Sequence, residues 1–145
     1  MRRIERTTVI PASPAVIYAF LSDPTNLPNW QTGVISSIRT SPAPTVAGST
    51  GRVVIEVMGN RISADTSVRE AVPDRRLVLA TSVSGMSVVG SLDLMEAEGG
   101  TQVTFASEIK AENIFMAPLE RMVTDTAERD LDASLARLKA AIAAL

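Results

Sequence analysis

The 145 residues predict one α+β domain in which a curved seven-stranded antiparallel sheet wraps around a single long C-terminal helix. Three observations lead there. From about residue 34 to residue 110 the hydrophobic period is two, and turn signals interrupt it at short intervals. Connections that short leave no room for parallel crossovers, so the strands form an antiparallel meander. After Pro118 the period becomes helical, with Leu131, Leu135, Leu138, Ile142 and Leu145 at steps of 4, 3, 4 and 3. One apolar sheet face then has one long apolar stripe to cover it, and a sheet curled around a single helix is expected to leave a cavity.

The first strand is read at residues 3–10, with Ile4, Thr8 and Ile10 on one side. Ser13 is a favourable helix N-cap and Pro14 suits the first helical position, where no N–H is needed. Pro24 disfavours helix at Asp23, so this helix covers roughly residues 14–22, with one or two further turns before Gly33. Strands follow near 34–40, 50–58, 61–71, 76–84, 86–97 and 101–110. Gly59-Asn60, Ser84-Gly85 and Gly99-Gly100 are hairpin dipeptides, and Pro73-Asp74 suits a type I reversal. Leu119, Val123 and Ala127 extend the helical stripe backwards, Pro118 starts or kinks the helix, and residues 111–117 form a looser approach. No repeat or low-complexity segment divides the chain, which is treated as one domain over residues 1–145.

The segment PASPAVIYAFLSDPTNLPNW (11–30) holds three of the chain's five aromatic residues and four of its eight prolines. A strand, Pro-Ala-Ser-Pro, a short aromatic helix, Asp-Pro and a tryptophan in this order resemble the start of the START-like, Bet v 1-like (SRPBCC) superfamily. That group includes the polyketide cyclase/dehydrase family. VREAVPDRRLVL (68–79) and GGTQVTFASEI (99–109) are similar to its strand–proline turn–strand segment and its last hairpin. The resemblance implies a helix-grip fold in which the first and last strands pair. It also implies that two short helices form a V propping up the long helix, with Tyr18, Phe20 and Trp30 as bulky fill at its elbow.

Strand parity separates an apolar from a polar face. Val53, Ile55 and Val57 share a face, as do Ile62, Ala64, Thr66 and Val68, and Leu77, Leu79, Thr81 and Val83. Met86, Val88, Leu92 and Leu94 form a fourth set, and Val103, Phe105, Ser107 and Ile109 a fifth. These face inward. The ligand-contact candidates are therefore Trp30, Val53, Ile55, Thr66, Thr81, Met86, Val88, Phe105 and Ser107, joined by Phe115, Leu119, Met122 and Thr126 from the approach segment and helix. Packing is the competing role for the apolar ones, and parity cannot divide them. Two charged residues keep inward parity, Arg6 and Glu70; they are candidate polar anchors, and their opposite charges would allow them to pair.

Composition narrows the chemistry. With no cysteine and no histidine, a disulfide framework, a thiol nucleophile and a Cys/His zinc site are excluded. No metal or cofactor is expected. The net charge is −2 without a Lys/Arg cluster, which disfavours nucleic acid or an anionic membrane as the main partner. No stretch reads as a signal peptide or an integral membrane segment, so a cytoplasmic location is the expectation.

Three functions fit. A binding protein or carrier for a small hydrophobic molecule (a lipid, isoprenoid or polyketide-like compound) matches an apolar cavity with a few hydroxyls. A cyclase/dehydratase-type enzyme is what the resemblance also implies. The residues argue against it, because general acid–base work near neutral pH usually draws on histidine. The lysines, Lys110 and Lys139, and the lone tyrosine, Tyr18, sit where solvent or core is expected. A protein-interaction role would need an exposed apolar patch, of which the outward sets offer only Val54 and Met58.

Overall fold

The computed structural model describes residues 1–57, 59–83 and 85–145, so the expectations for Met58 and Ser84 lie outside the described residues. In chain order the elements are β1 (Arg2–Ile10), α1 (Pro14–Ser22), a 3-10 turn (Pro24–Asn26), α2 (Leu27–Trp30), β2 (Val34–Arg39), β3 (Thr50–Val57) and β4 (Asn60–Val72). There follow β5 (Arg76–Val83), β6 (Met86–Ala97), β7 (Gly100–Ala111), a second 3-10 turn (Ile114–Met116) and α3 (Ala117–Ala143). The sheet has seven strands in the order β1-β7-β6-β5-β4-β3-β2, every described pair antiparallel. This is the expected meander, with the first strand returned to lie beside the last.

Local chemistry places the two short helices. Ser13 accepts a hydrogen bond from the Val16 N–H at 3.3 Å, and Pro14 opens α1. Asp23 ends α1 in extended backbone and accepts from the Thr25 N–H at 3.0 Å, starting the next turn at a new angle. The V so formed buries Ile17, Tyr18, Phe20, Leu21 and Trp30. The aromatic cluster in the opening segment is core at the elbow.

Two turns refine the sequence reading. Arg75 N–H donates to the Val72 carbonyl at 3.0 Å across Pro73-Asp74, and Asp74 has φ 65°. A positive φ at the third residue belongs to a type II turn, not the type I expected. Gly100 has φ 145°, and a Cβ there would collide with the Ile10 carbonyl oxygen, so only glycine lets β7 start this close to β1. Thr101, fully buried next to it, donates to the Ala12 carbonyl at 2.7 Å and ties β7 to the entry of α1.

Pro118 falls in the first turn of α3, so it starts the helix and does not kink it. The helix ends at Ala143, and Leu145, expected in the apolar stripe, is 74% exposed. The main core joins α1, α2 and the C-terminal half of α3 (Leu131, Leu135, Leu138, Ile142) to Ile4, Val68, Leu77, Leu92, Leu94 and Val103 of the sheet. A smaller cluster of Val53, Ala64 and Val83 sits apart, flanked by Ile55 and Ile62.

Candidate functional site

Antiparallel register turns the inward residues into transverse rows. Thr66, Thr81, Val88 and Ile109 line up across β4 to β7, and the next row reads Val68, Leu79, Gly90, Ser107 and Ile4. A third row runs through Ala71, Leu77, Leu92, Phe105 and Arg6. Val68, Ile4, Leu77 and Leu92 are buried, which fixes these rows on the concave side.

The concave side is closed at one end and open toward the other. Trp30 is 2% exposed and meets Phe105 edge to face, with ring centroids 6.0 Å apart. Beyond this pair, a Cβ built on Gly90 would find nothing within 4 Å. The neighbours of that open space, Leu79, Thr66, Thr81 and Val88, are only half-buried. Across from the sheet, the helical stripe that is buried at Leu131, Leu135 and Leu138 continues as Leu119, Val123 and Ala127, which are half-buried. The N-terminal half of α3 instead buries Glu120 and Thr124. α3 lies against β1 and β7, at one margin of the sheet. A Cβ on Gly90 would thus stand in open space, on rows that carry the half-buried Thr66, Thr81, Leu79 and Val88 and the buried Ser107.

The proposed contacts fall into three groups. Thr66, Thr81, Val88 and Ser107 lie on the rows around Gly90, and Leu119 and Thr126 are half-buried on α3. Trp30, Phe105, Met86 and Val53 are packed, Met86 and Val53 being 2% and 5% exposed, while Ile55 and Ile62 flank the small cluster. Phe115 and Met122, the other two candidates, are exposed to solvent. They are 89% and 42% exposed, because the 3-10 turn after β7 carries Ile114 and Phe115 outward.

The two charged candidates are also corrected. A bulge between Val68 and Glu70 shifts the register, so Ala71 takes the inward place and Glu70 turns out to pair with Arg76 at 3.1 Å. Arg6 keeps inward parity but reaches Glu128 and Asp132 of α3, each at 3.6 Å, and clamps the helix to the edge strand. They do not pair with each other.

Gly90 is the residue that sequence reading passed over. A glycine inside a strand at inward parity is a signal for close approach by something other than its own side chain. A second space, of about 30 Å³, lies under α1 between Leu21, Leu27, Arg39, Thr66 and Leu79, enough for about one water. The Tyr18 hydroxyl is buried without a hydrogen-bond partner, and burial, with the charge of Asp74 adding to it, raises its pKa. Among the described residues no group of three or more acidic side chains is placed to hold a metal ion.

This architecture is the helix-grip fold. The family described as polyketide cyclase/dehydrase and lipid transport matches residues 1–143, and the chain belongs to it. Solved structures agree on the fold. TTHA0849 from Thermus thermophilus is 17% identical, with a TM-score of 0.79 over 99% of this chain and 98% of that one. The ZhuI aromatase/cyclase from Streptomyces sp. R1128 is 13% identical, with a TM-score of 0.80 over 97% of this chain and 93% of that one. Ara h 8.0201, also 13% identical, gives 0.74 over 99% of each chain. No curated protein matches the sequence.

Proposed function

We propose that the protein binds a small, largely apolar molecule on the concave face, over Gly90 and between Val88, Thr81 and the N-terminal half of α3. The observation that carries this reading is the open space above Gly90, walled by apolar side chains that remain half-buried for want of a neighbour. Apolar walls supply affinity, and the Thr66, Thr81 and Ser107 hydroxyls supply orientation. Burying ~300 Å² of ligand at ~25 cal/mol/Å² contributes about 7 kcal/mol before association costs, so micromolar affinity is the natural range.

Binding without turnover is what the side chains support. The chain has no histidine, and Arg6 and Glu70 are committed to ion pairs with Glu128, Asp132 and Arg76. Burial keeps the Tyr18 phenol in its neutral form, a poor base. Native mass spectrometry of the purified protein should show a co-purified molecule, and a dansylated fatty acid should raise the melting temperature. A broad panel of fatty acids, isoprenoids and polycyclic aromatics that changes neither dansyl emission nor melting temperature would rule the reading out.

A further inference from the structure

The sequence keeps Arg2 and Arg121 far apart, and the fold brings them to one pocket. Pairing of β1 with β7 sets Arg2 opposite Ile109, one residue before Lys110. The start of α3 then places Arg121 beside Arg2 on an open pocket of about 530 Å³, lined also by Met1, Ala117, Pro118 and Glu120. Glu120 is engaged there, accepting from the Ala111 N–H at 3.1 Å and pairing with the Met1 ammonium at 3.2 Å. Among the described residues Arg2, Lys110 and Arg121 make no ion pair. Glu112 is the one exposed carboxylate between Lys110 and Arg121.

Two residues before the pocket-lining Ala117 stands the most exposed apolar pair among the described residues. Ile114 is 81% and Phe115 89% exposed, with Met122 at 42% on the first turns of α3. They are held out, not left loose. The Asn113 side chain accepts from the Phe115 N–H at 3.0 Å, and Glu112 N–H bonds the Gly85 carbonyl at 2.9 Å. Met116 packs over the same turn, 3.3 Å from where a Gly85 Cβ would stand. The 3-10 turn is therefore a braced platform for two side chains with nothing to cover them.

We infer that this end of the molecule docks on a bilayer containing anionic phospholipid. Ile114 and Phe115 enter the acyl boundary, and Arg2 and Arg121 meet lipid phosphate in the pocket beside them. Apolar side chains rimmed by free cations are the composition of an interfacial anchor. Charge also selects this occupant over a second copy of the chain: a two-fold contact centred on the patch would set these cations against their own copies. The overall charge of −2 provides no long-range attraction, so the interaction is local and short-lived. The inference stands apart from ligand binding, since vesicle association is read without any cargo.

The test is co-sedimentation of the full chain with vesicles of phosphatidylcholine alone and of phosphatidylcholine mixed with phosphatidylglycerol. Binding to the mixed vesicles is expected, weaker to the neutral ones, and weakened by added salt. Replacing both Ile114 and Phe115 by Ser should lower partitioning tenfold or more, while Arg2→Gln with Arg121→Gln should remove the preference for phosphatidylglycerol. Ile114, Phe115 and Arg121 are exposed, so their substitution should leave the melting temperature unchanged, and Arg2→Gln should lower it no more than Glu120→Gln does. As a second readout, Phe115→Trp should shift its emission to the blue on mixed vesicles, against the unchanging signal of buried Trp30. Absence of binding to either vesicle, or binding unchanged in the double Ser variant, overturns the inference. So does a concentration-dependent dimer that the double Ser variant dissolves, which would assign the patch to a second copy.

Discussion

The two halves of α3 carry one apolar stripe and face one sheet, yet only one of them is buried. From Leu131 to Ile142 the stripe meets the α1–α2 V and the Trp30–Phe105 pair and is closed from water. From Leu119 to Ala127 the same stripe faces the rows around Gly90 and remains half-buried. The difference comes from the third layer. The V supplies bulky side chains at one end, whereas at the other end the segment between β7 and α3 sends Ile114 and Phe115 outward. One end of the helix holds the fold together; the other stays half-buried.

The comparison breaks most directly with one substitution made at both ends. Leu138→Ala, at a fully buried site, should cost about 2–5 kcal/mol in chemical denaturation. Leu119→Ala removes the same atoms from a half-buried site and should cost about 1 kcal/mol, while weakening dansyl fatty acid binding. Equal losses of stability would mean that the two ends are equally packed.

A second expectation concerns the joint that holds the V in place. Thr101→Val keeps the shape of a fully buried side chain but leaves the Ala12 carbonyl without its 2.7 Å donor. It should cost about 1–3 kcal/mol, read as a lower denaturation midpoint with an unchanged slope.

A smaller effect is expected at the open end. The Ala111 N–H, the Met1 ammonium and Arg2 together hold the Glu120 carboxyl below its ordinary range, the Ala111 hydrogen bond being the largest cause. A carboxylate with a depressed folded pKa stabilises above its unfolded pKa, and the contribution is lost as pH falls through the folded value. Glu120→Gln should therefore lower the melting temperature slightly at neutral pH, and the gap to the parent should close in acid. A gap that persists unchanged at low pH would place the cause elsewhere.

Much of the fold was legible because its signals are local. Turn dipeptides, period-two alternation and the cap at Ser13 each act within a few residues, and together they dictate the meander and the V. The site was less legible, for three physical reasons. Parity counting passes through a bulge unawares, so Glu70 keeps inward parity in the sequence although one extra residue turns it out to Arg76. A helical stripe names a face but not what covers it, so Leu119 and Leu138 looked alike. Phe115 follows neither period: its direction is set by the Asn113 cap and the Gly85 contact, which only the assembled chain provides. Gly90 was within reach, as an inward glycine in mid-strand, but an inventory of side chains has no place for a residue without one.

Whether the space above Gly90 receives the ligand is tested most directly by Gly90→Leu. A leucine there would grow into open space from ordinary strand backbone, so the melting temperature should hold or rise. Titration with a dansylated fatty acid should then show the parent protein binding and the Gly90→Leu protein not binding. If the folded Gly90→Leu protein binds the probe with the parent's affinity, the ligand lies elsewhere and the account of the concave face is wrong.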